Sequence, residues 1–444
     1  MNTELPEPNQ NRSEQSLDQR FAHRPRLRRR LLSIADMIDQ AVAEGCSAHQ
    51  AEARAIEQIR KLGNDVLTDW AEKSEEDARR KAQQSDPELS HYRKKLLSWH
   101  STYGEISILE QRLRQGRRGQ QVRPFCQRAK VKHREYSLPL QRALVDFGSE
   151  ESFVKAARQT REHYGIELPA SGVREQTLTH AKTMGAVEHQ APKQPAQTVL
   201  TGMDGSMLPI VETGTGPSSD KRKEKKLFWK EARLCCARSK DVVDCVYGAT
   251  MGSVNLAGLV WRQTTEAAGL GPKTYAHGLG DGADCIVNTF HEQFGSGKDS
   301  KAKFTLDFYH VSEYLAEAAV VLAPGATKEW LQEQQGKLLE NKVQAVLRVL
   351  EPRMEPPERE EAPVRSAHQY MSQRSGYMDY AGARAAGLPI GSGEIESGHK
   401  HVIQERLKKA GAWWTYPNAQ IMLQLRTTRA NNDWERYWSE FAKN

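Results

Sequence analysis

The sequence predicts an α/β fold, a mixed five-stranded sheet with flanking helices, set behind a mainly helical N-terminal region. Two observations carry this expectation. Short β-branched and apolar runs alternate with helix-period segments from residue 198 to 325, whereas helical spacing dominates residues 21–95 and 151–185. A polar, proline-containing stretch at 185–197 separates the two textures and reads as a linker.

In chain order, residues 1–20 read as a disordered polar tail. The stretch from Phe21 to Ala82 is helical and opens on the basic run Arg24, Arg26, Arg28, Arg29 and Arg30. STYGEISILEQRLRQGRRG, from Ser101, has turn signals and mixed periodicity that suit a short β-ribbon. From Gln111 through Arg134 nine basic residues occur with no acid: Arg112, Arg114, Arg117, Arg118, Arg123, Arg128, Lys130, Lys132 and Arg134. Solvated faces usually mix signs, so this bias points to a surface that contacts phosphates. SFVKAARQTREHYGI and VREQTLTHAKTMG, separated by a break holding Pro169 and Gly172, fit a helix-turn-helix. Its second helix would offer Arg174, Gln176, Thr177 and His180 to a DNA groove; simple packing of two helices is the rival reading. The expected organisation is thus a helical region over 21–95 and a DNA-binding region over 96–190.

TVLTGMDGSMLPIV, from Thr198, is apolar around a central Asp-Gly and suits two strands meeting at a turn. After a basic loop, Lys221 to Lys226, FWKEARLCCAR reads as a third strand. A helix over 250–268, the strand TYAHGLGDG, the helix ADCIVNTFHEQF and the strand FTLDFYH follow, the last running into the helix VSEYLAEAAVVLA. Three strands, helix, strand, helix, strand, helix is the order of an RNase H-like domain, whose first part would span 198–325. Residues 326–388 are helical and charged, are broken by EPRMEPPEREEAP, and read as an insertion. The domain would resume over 389–444 with the long helix EIESGHKHVIQERLKK and an aromatic tail in which Trp434, Tyr437 and Trp438 have core spacing.

Composition excludes several classes. A length of 444 residues suggests about three domains. With 64 Lys+Arg against 57 Asp+Glu the net charge is a modest +7, so the placement of basic residues matters more than their sum. No apolar run is long enough to span a membrane, and the first twenty residues lack the apolar core of a signal peptide. The six cysteines (46, 126, 235, 236, 245 and 285) form no CxxC pair, which fits free thiols in a reducing cytoplasm and not a zinc module or disulfide scaffold. FGSGKDS is not a phosphate-binding loop, because Glu292 replaces the first glycine, Asp299 replaces the Ser/Thr, and a helix precedes it.

Acids stand at the expected strand ends: Asp204 on the first, Asp281 on the fourth, Asp307 on the fifth. Glu394 and Glu396 lie in the first turn of the late helix, and spacing does not choose between them. Taken singly, Asp204 and Asp281 each sit in an Asp-Gly turn signal. Taken together, three convergent carboxylates supply the hard oxygen ligands for two Mg²⁺ ions and for in-line attack on a phosphodiester. No persuasive Ser/His/Asp or Cys/His set competes with them.

At MDG (203–205), GDGADCI (280–286), LDFYH (306–310), GSGEIESGHK (391–400), RLKKAGAWW (406–414) and WERYW (434–438) the chain resembles bacterial insertion-sequence transposases of the ISKra type, within the DDE class. TYGEISILEQRLR, RPFCQRA, YSLPLQRALVDFGSEESF and EHYGI extend the resemblance back to about residue 95. It implies an RNase H-like catalytic domain, two divalent cations (Mg²⁺ or Mn²⁺), and cleavage and joining of double-stranded DNA at an element's terminal inverted repeats and at its target. It implies Asp204, Asp281 and Glu396 as catalytic and metal-binding residues, and Asp307 with His310 as an auxiliary pair. Many relatives carry a cysteine zinc module near the N-terminus, and this sequence does not. Synapsis of two ends implies at least two protomers, and the location implied is the bacterial cytoplasm, on the nucleoid when bound to DNA. Around the implied site, Lys400 would hold a phosphate or pair with Glu396, Arg406 and Lys408 would continue a basic side, and Trp413 or Trp414 would stack on a base or join the core. The rival functions are an RNase H-like nuclease or resolvase without strand joining, and a domesticated DNA-binding descendant.

Overall fold

A computed structural model describes residues 21–185, 192, 194–214, 224–297 and 300–443. The tail expected over 1–20, most of the 185–197 linker, Lys221, Arg222 and Lys223 of the basic loop, and Asp299 lie outside the described residues. The chain divides into two compact units, one of residues up to Gly148 together with Phe153–Gln176, the other of Ser149–Ser152 with Thr177 onward.

The first unit opens with two antiparallel helices, α1 (Pro25–Ala43) and α2 (Ala48–Ser85). Gly45 makes the turn at φ +63°, a conformation glycine adopts without a Cβ clash. Ser47 and Gln50 then start α2 with a reciprocal capping box, which satisfies donors the helix leaves open. Arg26–Asp69 and Arg30–Asp65 ion pairs, both 2.7 Å, fix the register of the hairpin. An antiparallel ribbon follows, β1 (Leu89–Ser101) and β2 (Gly104–Gln115), with the short β3 (Gln121–Val122) at its edge. Leu97, Trp99, Ile106 and Ile108 of the ribbon close a core with Ala71 of α2 and Phe125. The ribbon therefore begins inside the stretch expected to be helical. From Ser90 to Leu96 the first strand is exposed on both faces, which erases the alternation that marks a strand. The short α3 (Pro124–Ala129), α4 (Leu138–Glu150), α5 (Phe153–Tyr164) and α6 (Ala170–Met184) complete the helical part, around Leu140, Leu144, Ala156, Ile166 and Val173.

The second unit is built on a five-stranded mixed sheet: β4 (Thr198–Thr213), β5 (Lys225–Ser239), β6 (Val246–Thr250), β7 (Tyr275–Gly280) and β8 (Ala302–Leu306), in the order β6-β5-β4-β7-β8. β4, β5 and β6 are antiparallel neighbours, and β7 and β8 run parallel to β4. Two strand expectations are corrected. There is no turn at Asp204-Gly205: these residues pair with Leu234 and Arg233 in an unbroken ladder, so the first two expected strands are one. Continuous backbone pairing with β5 overrides the local Asp-Gly turn preference. The sheet keeps five strands because β6, a short edge element that was not expected, pairs with β5, while the expected FTLDFYH strand is β8.

α7 (Val254–Ala267) and α8 (Asp284–Phe294) cover one sheet face, burying Trp261 and Phe290 against Met203, Cys235 and Phe304. α9 (Phe308–Leu322) shares a second core with the helices that follow it: α10 (Thr327–Leu339), α11 (Val343–Leu350), α12 (Pro363–Arg374) and α13 (Tyr380–Ala385). Leu315, Leu338, Val346, Met371 and Tyr380 are the centre of that core, and no strand interrupts residues 327–385. The chain then crosses the other sheet face as one helical run: α14 (Gly393–Gly398), a π-helical segment His399–Gln404, and α15 (Glu405–Leu407). Two closing helices, α16 (Tyr416–Ala430) and α17 (Trp434–Phe441), bury Tyr437 and Trp438. No helix among the described residues is long and apolar enough to cross a membrane.

Candidate active site

Three aspartates lie at or just past the ends of the parallel ladders. The pairs Gly202–Leu279 and Gly280–Leu306 are the last of each ladder; Asp281 and Asp307 follow directly after β7 and β8, and Asp204 lies on β4 two residues beyond its last pair with β7. The Asp307 amide donates to the Gly280 carbonyl at 2.9 Å, and Asp281 is near enough to Asp204 to act on its charge. Met203, one residue earlier, faces α7 and α8, so Asp204 projects from the opposite face, the one crossed by α14. Ile395 of α14 meets Gly202 there: a Cβ built on that glycine would lie 3.7 Å from the Ile395 Cβ.

The three aspartates differ in how they are used. Asp307 is buried and saturated. Its Oδ1 accepts from the amides of Tyr309 (2.6 Å) and His310 (3.1 Å), capping α9, and its Oδ2 accepts from the Ser392 amide (2.7 Å) and hydroxyl. It is a structural clamp between α9 and the loop before α14. Asp281 accepts from the Ala283 amide at 2.9 Å in a tight turn completed by Gly282 at φ +72°, and its other oxygen has no such role. The turn is gripped from α12: the Tyr370 hydroxyl donates to the Asp281 carbonyl and Arg374 Nε donates to the Gly282 carbonyl at 2.7 Å. Asp204 is half-exposed. Burial and the nearby Asp281 raise its pKa, against the pull of His399, the Gly205 amide and His310.

Of the two glutamates, Glu394 is engaged on β5 by Arg238 at 2.6 Å. Glu396 is exposed, with its Oε1 3.3 Å from Ser392 Oγ, which ties it through Ser392 to Asp307. His399 was not anticipated. It is buried, its Nε2 lies 3.3 Å from Asp204 Oδ2, and burial lowers its pKa against the pull of Asp204. The only available signal was its place in GSGEIESGHK; the four-residue spacing of an α-helix pointed to Lys400 instead. The helix switches to i→i+5 bonding at this point, so Lys400 is exposed and makes no ion pair with Glu396. His310 is half-exposed and stands edge-on to Tyr370 with ring centroids 5.7 Å apart. Among the described residues no group of three or more His, Cys, Asp or Glu side chains is gathered closely enough to hold a metal ion.

The basic and aromatic candidates sort by burial. Lys408 is exposed and donates to Ser206 Oγ at 3.2 Å, on the same face of β4 as Asp204. Arg406 is corrected: it is buried over the Trp414 ring, 4.8 Å from its centroid, and burial beside Arg426 lowers its pKa to about 10. Trp414 is corrected as well, since its ring is buried and its Nε1 donates to the Leu407 carbonyl at 3.1 Å. Two exposed indoles of the second unit, Trp413 and, on β5, Trp229, have ring centroids 6.2 Å apart. Thr177 and His180 are likewise buried, and His180 Nδ1 lies 2.7 Å from the Tyr437 hydroxyl, so neither reads a groove. Arg174 is exposed and Gln176 half-buried.

Within the basic segment, Arg123 pairs with the buried Glu110 at 2.8 Å and Arg112 lies 4.0 Å from it. Arg128 pairs with Asp77, and Arg114 covers the Tyr92 ring at 3.7 Å. Arg112, Arg114 and Arg123 serve the ribbon, and Arg128 ties α3 to α2. Arg117, Arg118, Lys130, Lys132 and Arg134 are exposed. The acids that engage the segment are Glu110, just before it, and Asp77 on α2, and a window beginning at Gln111 sees neither. No protein-family model matches this chain, and no curated protein matches it.

Proposed function

We propose that this chain is a DDE-class transposase with an RNase H-like catalytic domain, which cleaves and joins DNA strands at the ends of a mobile element. The observation that carries the reading is Asp204 on β4 with Asp281 in the turn just past the end of its parallel neighbour β7, in a β6-β5-β4-β7-β8 sheet, with the Glu396 helix laid across the Asp204 face. Two divalent cations, Mg²⁺ or Mn²⁺, would be held by Asp204, Asp281 and Glu396, all hard oxygen donors. Burial raises the pKa of Asp204 and the nearby Asp281 adds to it, a repulsion between carboxylates that a cation would relieve. When bound, the ions neutralise phosphate charge and activate the attacking oxygen.

The chain's own side chains supply position. Tyr370 and Arg374 hold the Asp281 turn, while Asp307 and Ser392 hold the approach to Glu396. Lys408 Nζ, beside Ser206, is placed to contact a DNA phosphate on the Asp204 face. Trp229 with Trp413 offers exposed indole faces on which an unpaired base can stack. Further DNA contacts fall to Arg117, Arg118, Lys130, Lys132, Arg134 and Arg174 of the first unit. The test is incubation of the purified chain with Mg²⁺ and a supercoiled plasmid carrying its gene and flanking DNA. Nicking at the element's ends, followed by joined products, supports the reading. Nicking without joining favours a nuclease or resolvase, and DNA binding without nicking favours a domesticated binder.

A further inference from the structure

The α1–α2 hairpin leaves one of its faces uncovered. Leu31, Ile38 and Val42 on α1, and Ile56, Ile59 and Val66 on α2, are between 41% and 77% exposed. Their intervals of seven and four, and of three and seven, place each set on one stripe of its helix. The ion pairs of Arg26 with Asp69 and Arg30 with Asp65 set the antiparallel register, which brings Leu31 within two residues of the level of Val66, Ile38 within two of Ile59, and Val42 within three of Ile56. At 100° per residue, each stripe lies roughly a quarter turn from the direction of its partner helix. The offsets run in opposite senses on antiparallel helices, so both stripes open to the same side. The hairpin thus carries a second apolar face besides the one that closes its own core.

We propose that this face is a homodimer interface, covered by the same hairpin of a second copy in an antiparallel four-helix arrangement. Four observations select a second copy. A face of two apolar stripes is self-complementary, as a two-fold interface requires. The charge along α1 is polarised: Arg24 and Arg29 are exposed at its start, Asp36 and Asp39 are exposed toward its end, and no Lys or Arg lies between Leu31 and Ala53. An antiparallel copy brings each end against its opposite. Two such faces would bury on the order of 1,200 Å², the lower end of the range for specific interfaces. Residues 1–20 supply only Met1, Leu5 and Leu17 as large apolar side chains, too few to cover the face from within the chain. The polarised charge also argues against nucleic acid, which would meet the acidic end.

Sedimentation equilibrium on the full-length chain tests this. The expected result is a dimer at micromolar concentration, with Ile38→Glu together with Ile59→Glu raising the dissociation constant at least 100-fold and leaving the far-UV circular dichroism unchanged. Should that pair unfold the hairpin, Val42→Lys substitutes a position 77% exposed in the single chain, where only an interface responds; it should weaken the dimer about tenfold. A monomer at 100-fold higher concentration overturns the proposal. So does a dimer with wild-type affinity in a folded variant, which would place the interface elsewhere. A variant that loses affinity for a plasmid fragment without a change of mass assigns the face to DNA, and equally overturns it.

Discussion

The hydroxyl of Tyr370 donates a hydrogen bond to the backbone carbonyl of Asp281, so a helix from the 326–388 insertion holds the turn that presents a site carboxylate. The insertion is therefore part of the site's support. Tyr370→Phe removes one such bond, worth about 1 kcal/mol, and should slow plasmid nicking about five- to tenfold. Circular dichroism should be unchanged, and an unchanged nicking rate would mean that Arg374 holds the turn alone.

Asp204 and Asp307 should fail in different ways. Asp204→Ala should abolish nicking while leaving DNA affinity and melting temperature near wild type. Asp307→Ala deprives two helix-end amides and both donors of Ser392 of their acceptor, and should cost about 2–4 kcal/mol of stability. Thermal melts beside nicking assays separate the two; an Asp307→Ala chain of full stability would contradict its role as a clamp.

Arg406 and Lys408 stand two residues apart and make opposite predictions. Lys408→Ala should reduce the salt dependence of DNA binding by about one phosphate contact and leave stability within about 0.5 kcal/mol. Arg406→Ala opens a buried site under Trp414 and should destabilise by about 2–4 kcal/mol. Filter binding across a salt series, with denaturant melts, reads both.

Trp229→Ala should weaken binding of single-stranded oligothymidylate by about 1–3 kcal/mol, because Trp229 and Trp413 are the exposed ring pair beside the site strands. Trp414→Phe should leave that affinity unchanged. If the two behave alike, the exposed pair is not a stacking surface.

Burial pushes the His180 pKa down to about 4, among the rings of Tyr437, Trp438 and Phe441. Below about pH 6.5 the unfolded chain binds a proton that the folded chain refuses until about pH 4. Stability should therefore fall by about 2–3 kcal/mol across that window and level off beneath it. His277 and His399, both lowered by burial, add in the same direction. His180→Phe should flatten part of the slope in melts between pH 7 and pH 4.

Much of the sheet was readable because β7 and β8 are short apolar runs, buried along most of their length and separated by one helix with a buried stripe. The fusion of the first two strands was not readable, since the Asp-Gly that suggests a turn is overruled by pairing with β5, a contact some 30 residues away in sequence. Asp281 and Glu396 were legible as acids at element edges, whereas Asp204, expected at a strand end, lies within β4. Their supporters Tyr370, Arg374 and Ser392 were not, because each acts through a backbone carbonyl or amide that any sequence possesses. The basic segment misled in part for a related reason: charge bias counts arginines without showing that Glu110 and Asp77 occupy some of them.

The π-helical segment at His399–Gln404 has a consequence for how this chain tolerates length change. Such a segment is what an α-helix becomes when it absorbs one surplus residue without shedding its flanks. Excising a single residue from it would let the run from Gly393 to Leu407 relax into ordinary α-helix, with better hydrogen bonding. Everything downstream would then rotate by about 100° relative to Glu396. Shortening by one residue here should yield a sturdier helix and a dismantled site, so the surplus residue is the cost at which two faces of one rod are kept in phase with the same strand.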